Sequence, residues 1–137
     1  MMKKSKSVFN FKPFSTKQLK VLKWWIDPRT KDKDGVIADG AIRSGKTLVM
    51  SLSYVIWAME TFSNQNFGMC GKTIGSFRRN VLTLLKLMLR SRGYKVKDHR
   101  ADNLVVVSKN GVENNFYIFG GKDESSQDLI QGITLAG

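Results

Sequence analysis

The chain has 137 residues, 42% of them hydrophobic, which suits one small globular domain and excludes a disordered or fibrous chain. Lys and Arg number 23 against 11 Asp and Glu, and the resulting net charge of +12 favours an anionic partner such as nucleic acid, although many basic proteins simply carry solvated lysine faces. The single cysteine, Cys70, excludes an internal disulfide, and we expect it to pack as a small hydrophobe in a reducing compartment.

The sequence contains no stretch that predicts export or membrane insertion. Residues 1–13 are predicted to be a flexible N-terminus, and their basic residues precede no continuous apolar run of the kind found in a secretory signal. The most apolar segment, 48–59, contains two serines and is far shorter than the ~20 residues that cross a bilayer. We therefore expect a cytoplasmic protein with no membrane partner.

The first half of the chain predicts a helix, a loop, a strand and a second helix. Apolar residues recur at helical spacing over 16–26, and Ser15 is suited to cap this helix. A polar loop with proline and glycine follows over 27–35. Residues 36–38 are predicted to form a buried strand, and 46–60 a helix that is apolar on most sides and therefore enclosed by a sheet and its neighbours.

The second half continues the alternation of strands and helices. Residues 66–70 predict a strand, and an amphipathic helix follows that ends at Gly93, a residue suited to a left-handed turn. The apolar face of this helix comprises Val81, Leu84, Leu85, Met88 and Leu89. Two β-rich runs, 104–107 and 116–119, surround an Asn-Gly pair and predict a β-hairpin, and 123–131 predicts a short helix. This order indicates an α/β domain with a largely parallel sheet.

The strongest motif in the chain is GAIRSGKT at residues 40–47, which matches G-x-x-x-x-G-K-S/T between a predicted strand and a predicted helix. Its two glycines let the backbone curl so that successive N–H groups point at one anion. The helix that begins near Lys46 adds partial positive charge at the same place. We predict a site for ATP and Mg²⁺ made of Gly40, Ala41, Ile42, Arg43, Ser44, Gly45, Lys46 and Thr47.

Three side chains of this loop have predicted roles in chemistry. Lys46 would reach the β- and γ-phosphates, and the hydroxyl of Thr47 would be a ligand of Mg²⁺. Arg43 is a candidate for an arginine finger that approaches the γ-phosphate, although a variable loop position facing solvent is the commoner situation. The alternative for the whole motif is a Gly-Lys-Thr loop that merely turns the chain.

A P-loop NTPase also needs an acidic residue at the end of another apolar strand to hold magnesium. The apolar run 104–107 continues into Ser108, and 116–119 continues into Gly120. Residues 36–39 end in an aspartate, but they precede the loop and form its strand. The sequence therefore predicts a P-loop domain that is truncated before the second acidic motif.

Four stretches together resemble the large subunits of tailed-phage terminases. ADGAIRSGKT, at 38–47, is similar to the phosphate loop of that family, and CGKTIGSFRRNVL, at 70–82, to the strand and helix that follow it. DLIQGITLAG, at 128–137, resembles the approach to the second acidic motif. FSTKQLKVL, at 14–22, resembles the segment in which a glutamine contacts adenine, so the resemblance makes Gln18 a candidate adenine contact.

The resemblance implies a RecA-like P-loop NTPase fold of the ASCE group, with a parallel sheet flanked by helices. Residues 1–137 would be a partial N-terminal ATPase domain, without the nuclease domain. The implied function is that of an ATP-driven motor that packages double-stranded DNA into procapsids in the host bacterial cytoplasm. The implied partners are double-stranded DNA, the terminase small subunit and the portal protein, on which an oligomer would assemble. Whether the chain alone is an enzyme stays open, because the second acidic motif is missing.

Two other residue assignments compete with structural alternatives. Ser15 and Gln18 also fit a capping box, in which each side chain bonds a backbone N–H group at a helix start. Arg78 and Arg79 are candidate DNA contacts, with a solvated helix face as the commoner explanation. His99 has no neighbouring carboxylate or cysteine pattern and receives no role.

Three further hypotheses remain open from the residues alone. A noncatalytic DNA-binding module with a vestigial phosphate loop would account for the charge. An inert prophage remnant would expose unpaired strand edges and apolar surface. Another P-loop NTPase, such as a helicase or a nucleotide kinase, would share the loop and differ in other motifs.

Overall fold

The computed structural model of the chain describes residues 14–29, 46–121 and 134–137. The helices are α1 (Thr16–Leu22), α2 (Lys46–Thr61), α3 (Ile74–Phe77) and α4 (Thr83–Ser91), with a π-helical turn, Arg78–Leu82, joining α3 to α4. The strands are β1 (Asn66–Gly71), β2 (Lys95–His99), β3 (Leu104–Lys109) and β4 (Val112–Gly120).

The four strands form one sheet in the order β1-β4-β3-β2. The α/β class is confirmed, but the described part of the sheet is mixed. Strands β1 and β4 are parallel, whereas β4 with β3 and β3 with β2 are antiparallel. The expectation of a largely parallel sheet is therefore wrong for these strands, because short turns join β2, β3 and β4, and strands joined in that way must run in opposite directions.

The C-terminal residues 134–137 lie along the edge of β1 that β4 does not occupy. The amide of Ala136 donates to the carbonyl of Asn66 at 2.7 Å, and the amide of Gly68 donates to the carbonyl of Gly137 at 2.9 Å. Position 136 thus lies beside Asn66 and position 137 beside Gly68, so this segment runs in the same direction as β1. It lies where a further parallel strand would pair with β1, next to the four strands of the described sheet.

Helices α2 and α4 pack on one face of the sheet and enclose the core. Side chains on this face alternate along every strand, as the two-residue period of a strand requires. The largest fully buried apolar side chains of the core are Phe67, Phe116, Leu52, Leu85, Leu89, Ile118, Val49, Val55 and Val107. An aromatic group lies at its centre, where the rings of Phe67 and Phe116 stack with their centroids 5.2 Å apart.

Most of the described elements were predicted from the sequence, with differences at three places. The helix predicted over 16–26 ends at Leu22. Ile26 lies in the following turn with 52% of its surface exposed, so it does not belong to the buried face of this helix. Strand β2 was not predicted. Cys70 is exposed on β1 rather than packed in the core, because its side chain lies on the sheet face opposite α2.

The turns predicted from glycine and asparagine are present. Gly93 follows α4 with a φ of +89°, and Asn110 and Gly111 join β3 to β4 with φ values of 53° and 82°. The N-terminus predicted to be flexible, 1–13, the predicted strand at 36–38 and the predicted helix at 123–131 lie outside the described residues. In the part of the chain that is described, no helix is both long and apolar enough to cross a membrane.

Candidate functional site

The direction of α2 relative to the sheet determines where its first turn lies. The last turn of α2 is bonded to the start of β4, because the side-chain amide of Asn114 donates to the carbonyls of Ala58 and Phe62 at 3.3 and 3.0 Å. One turn earlier in α2, the ring of Tyr54 packs edge-on against Phe67 and Phe116, which lie further along β1 and β4. Helix α2 therefore runs antiparallel to these two strands.

The first turn of α2, with Lys46 and Thr47, consequently lies level with the carboxyl ends of β1 and β4. From Ala58 back to Thr47 the helix rises by ~16 Å, and from Asn114 to Gly120 the strand advances by ~20 Å. The carboxyl edge of parallel strands is where α/β proteins bind their ligands. This edge is the candidate functional site.

Glycines end both parallel strands at this edge. Strand β1 ends at Gly71 and β4 at Gly120, and the amide of Gly121 donates to the carbonyl of Gly71 at 2.9 Å. A Cβ atom on Gly71 would lie 2.9 Å from the Cβ of Phe77, closer than real Cβ atoms approach. Only glycine lets the end of α3 pack this tightly against the end of β1.

We expect Gly71→Ala to destabilise the domain by about 1–3 kcal/mol, because the new methyl group overlaps an atom that the helix backbone fixes. Urea denaturation followed by circular dichroism measures the change. Gly121→Ala is the matched control, since its methyl group would meet nothing closer than 3.7 Å. Equal stability of the two variants would contradict the steric argument.

A capping box fixes the chain between β1 and α3. The amide of Ser76 donates to Oγ1 of Thr73 at 3.1 Å, and the amide of Thr73 donates to Oγ of Ser76 at 3.4 Å. Sequence reasoning missed this pair, because the common pattern has Glu or Gln rather than Ser at the fourth position. The spacing of Thr73 and Ser76 directly after a predicted strand was the available indication.

The residues of the predicted phosphate site are only partly described. Lys46 and Thr47 belong to α2, and Thr47 is exposed. Residues 40–45, including the candidate arginine finger Arg43, lie outside the described residues. The nucleotide and magnesium contacts of all eight residues stay predictions.

The alternative structural role of Gln18 is present in the structure. The amide of Ser15 donates to Oε1 of Gln18 at 2.9 Å, and the amide of Gln18 donates to Oγ of Ser15 at 3.2 Å. This reciprocal pair satisfies two amides that the helix start would otherwise leave without acceptors. The adenine contact of Gln18 stays a prediction.

The two candidate DNA contacts in the π-helical turn have different surroundings. Arg78 is buried, and its Nη1 donates to both carboxylate oxygens of Asp98 at 2.9 and 2.8 Å. The expectation of a solvated Arg78 is thus corrected, because this buried guanidinium holds the helical segment to β2; its contact with DNA stays a prediction. Arg79 is exposed, and its contact with DNA stays a prediction.

Asp98 is the carboxylate at the centre of this cluster. Lys86 on α4 also donates to its Oδ2 at 3.0 Å. Burial raises the pKa of Asp98, but the hydrogen bonds from Arg78 and Lys86 outweigh it and hold the pKa below its usual value. The carboxylate is therefore ionised at neutral pH and joins two helical segments to the sheet.

The remaining titratable groups near the candidate site give no further ligand set. Burial raises the pKa of Tyr54 to about 12, so its hydroxyl stays neutral. Within residues 14–29, 46–121 and 134–137, no three His, Cys, Asp or Glu side chains lie close enough together to hold a metal ion. Thr47 is exposed, and its hydroxyl is a hard oxygen ligand of the kind that Mg²⁺ prefers. This side chain is therefore chemically suited to bind Mg²⁺.

Lys46 and Thr47, the last two residues of the sequence motif, open α2 at the carboxyl edge of a parallel strand pair, and together with that motif they define an α/β domain of the P-loop class. Comparisons with solved structures are more specific. The chain is 69% identical to the large terminase of a thermophilic bacteriophage in one crystal form, with a TM-score of 0.88, and the match covers 92% of this chain and 31% of that one. The chain belongs to the terminase large subunit family.

Two further crystal structures of the same thermophilic phage terminase contain nucleotides. Its ADP complex is 68% identical to this chain, with a TM-score of 0.83, and the match covers 90% of this chain and 31% of that one. Its ATP-gamma-S complex is 63% identical to this chain, with a TM-score of 0.81, and the match covers 91% of this chain and 30% of that one. No protein-family model and no curated protein matches the chain. The chain spans about a third of the length of the terminase that it matches.

Proposed function

We propose that the chain is the nucleotide-binding portion of a terminase large subunit, and that the ATPase to which it belongs drives the packaging of double-stranded DNA into procapsids. The observation that carries this proposal is the 69% identity to the thermophilic phage terminase over 92% of the chain. The ADP and ATP-gamma-S complexes of that terminase support ATP as the ligand.

The geometry of α2 supports a phosphate site at the carboxyl edge of the sheet. Lys46 and Thr47 are in the part of α2 that lies at this edge, where the amide dipoles of the helix favour an anion. Residues 40–45 would wrap the phosphates with their backbone amides, Lys46 would contact the β- and γ-phosphates, and Thr47 would contribute its hydroxyl to Mg²⁺. The metal ion neutralises phosphate charge when it is bound.

The remaining contacts of the proposed site follow from the same assignment. Arg43 would approach the γ-phosphate and Gln18 the adenine edge, while α1 keeps its capping box. The proposed partners are double-stranded DNA, the terminase small subunit and the portal protein, with an oligomer on the portal as the working form. Packaging of this kind takes place in the host bacterial cytoplasm.

Calorimetry with the chain and its Lys46→Ala variant tests the proposal. The unmodified chain should bind ATP, and the variant should bind at least about tenfold more weakly, because the cation for the terminal phosphates is gone. Lys95→Ala is the matched control, since this exposed lysine lies on β2, three strands away from β1. Unchanged affinity in Lys46→Ala, or no ATP binding by the unmodified chain, would refute the proposed nucleotide site.

A further inference from the structure

The outer edge of β2 is lined by cations. Among the described residues β2 is the last strand of the sheet, and its neighbour on one side only is β3. Lys95 and Lys97 are exposed on this strand and lie on the sheet face opposite α4, whereas Val96, between them, is buried in the core. Two lysines therefore stand side by side on one flank of the open edge.

Helix α4 adds two cations on the other flank of the same edge. The Nζ of Lys86 lies 3.0 Å from Oδ2 of Asp98, and Nη2 of Arg90 donates to the carbonyl of Val96 at 3.0 Å. Both contacts bring side chains of α4 directly onto β2. We call the set of Lys86, Arg90, Lys95 and Lys97 the basic ridge.

The charge of the basic ridge is not balanced within the domain. Residues 86–100 contain six Lys and Arg residues and one carboxylate, a net charge of +5 in a chain whose total is +12. That carboxylate, Asp98, is already shared between Arg78 and Lys86. Arg90, Lys95 and Lys97 have no acidic partner among the described residues, and Arg92 and Arg100 flank them with exposed side chains.

Protection of the sheet edge explains only part of this charge. A lysine or two on an edge strand is enough to prevent pairing with another chain. Here Lys95 and Lys97 already serve that purpose, and Arg90 in addition covers an outward carbonyl of the strand. The accumulation of further arginines, which repel one another and the lysines, is accounted for by a polyanion that binds along the edge.

We propose that the basic ridge is a docking surface for the phosphate backbone of duplex DNA, a location that rests on the proposed packaging function. The five residues of β2 extend over ~17 Å, a length along which duplex DNA carries one phosphate per ~1.7 Å. Lysine and arginine contacts to phosphates hold DNA without reading its sequence, as a motor that moves along any sequence requires. Strands β4 and β3 separate the ridge from β1, so DNA and nucleotide bind at different places.

Fluorescence anisotropy with a labelled duplex of random sequence, about three helical turns long, tests this assignment on the whole chain. Lys95→Gln/Lys97→Gln should bind at least about tenfold more weakly at low salt, and the slope of log K against log salt should fall by about 1.8, the value for two lost phosphate contacts. Glutamine keeps the edge polar, and both positions are exposed, so the thermal midpoint should stay unchanged.

The matched control is Lys20→Gln/Lys23→Gln, which removes the same charge from two exposed lysines at the end of α1. Its DNA affinity should stay within about twofold of that of the unmodified chain, since salt screens charges that lie away from the bound duplex. Equal losses in both double variants would overturn the assignment. So would an unchanged ridge variant, or an unmodified chain that does not bind DNA.

Two additional measurements distinguish DNA binding at the basic ridge from the proposed nucleotide site and from the binding of acidic polypeptides. The Lys46→Ala chain should bind DNA as the unmodified chain does, and the ridge variant should keep its ATP affinity, so failure of the nucleotide site leaves the ridge result intact. Polyglutamate at equal charge concentration should not displace the duplex. Complete displacement would assign the ridge to acidic polypeptides and would overturn its assignment to DNA.

Discussion

Asn114→Leu is expected to lower the free energy of unfolding by about 2–5 kcal/mol, because it removes the hydrogen bonds that this buried side chain makes to backbone groups of three other residues. Asn114 is fully buried. Its amide nitrogen donates to the carbonyls of Ala58 and Phe62, and its Oδ1 accepts from the amide of Gln65 at 3.0 Å. Leucine has nearly the same size and keeps the packing, but it can satisfy none of these groups.

This side chain connects three elements of the domain. Ala58 belongs to the last turns of α2, Phe62 follows that helix, and Gln65 directly precedes β1, while Asn114 itself is on β4. The bonds fix the end of α2 against the start of both parallel strands. Because α2 is a continuous helix, they also fix the height of its first turn at the carboxyl edge of the sheet.

Urea denaturation of Asn114→Leu beside Asn115→Leu measures the effect. Asn115 lies on the opposite sheet face, and its side chain bonds the side chain of Asn66 at 3.1 Å, so its replacement should cost well under about 1 kcal/mol. Asn114→Asp keeps the acceptor for Gln65 but turns a carboxylate towards two carbonyls. It should be less stable at neutral pH than at mildly acidic pH, and similar stability of all three variants would exclude the connecting role.

The local features of this fold were accessible from the sequence. The Asn-Gly pair predicted the turn between β3 and β4, because few residues other than asparagine and glycine adopt positive φ at both central positions. Helix α2 and strand β1 were predicted to within a residue of their ends, because long apolar runs between turn residues have few other solutions. Gly93 marked the end of α4 for the same steric reason as the turn.

Features that depend on partners far away in the chain could not be predicted from the sequence. Strand β2, with three charged residues and a histidine in five, looks like a loop, and it is a strand because β3 supplies its hydrogen bonds. Arg78 appeared to be a surface cation, since its partner Asp98 is 20 residues away. Asn114 lies outside the predicted run 116–119, and only the packing of α2 against β4 gives its side chain these buried partners.

The sequence predicted the candidate site only in part. The motif at 40–47 predicted its chemistry, because glycine, lysine and threonine at that spacing have specific roles around a phosphate. The sequence could not show that the first turn of α2 lies at the carboxyl edge of β1 and β4. That position follows from the antiparallel course of α2, which contacts such as that between Asn114 and Phe62 establish.

The second large effect is expected at Asp98. Asp98→Asn should lower the free energy of unfolding at neutral pH by about 3 kcal/mol, because the guanidinium of Arg78 would stay buried without its counter-charge. Both side chains of this pair are only 10% exposed, so solvent screens the interaction little. Asp27→Asn is the matched control, since Arg29, the partner of Asp27, is 78% exposed and the loss there should be negligible.

The pH dependence of stability distinguishes the ion pair from mere packing at Asp98. The pKa of Asp98 in the folded protein lies below its ordinary value of 3.8, so the contribution of the pair is fully present above that value and is lost as the pH falls through the folded pKa. The difference between the unmodified chain and Asp98→Asn should therefore be constant from about pH 5 to 8 and shrink below about pH 4. The double variant Arg78→Met/Asp98→Leu should recover most of the lost stability, because it removes both buried charges together. A difference that persists unchanged at about pH 2, or a double variant no more stable than Asp98→Asn, would mean that shape rather than charge joins the π-helical turn to β2.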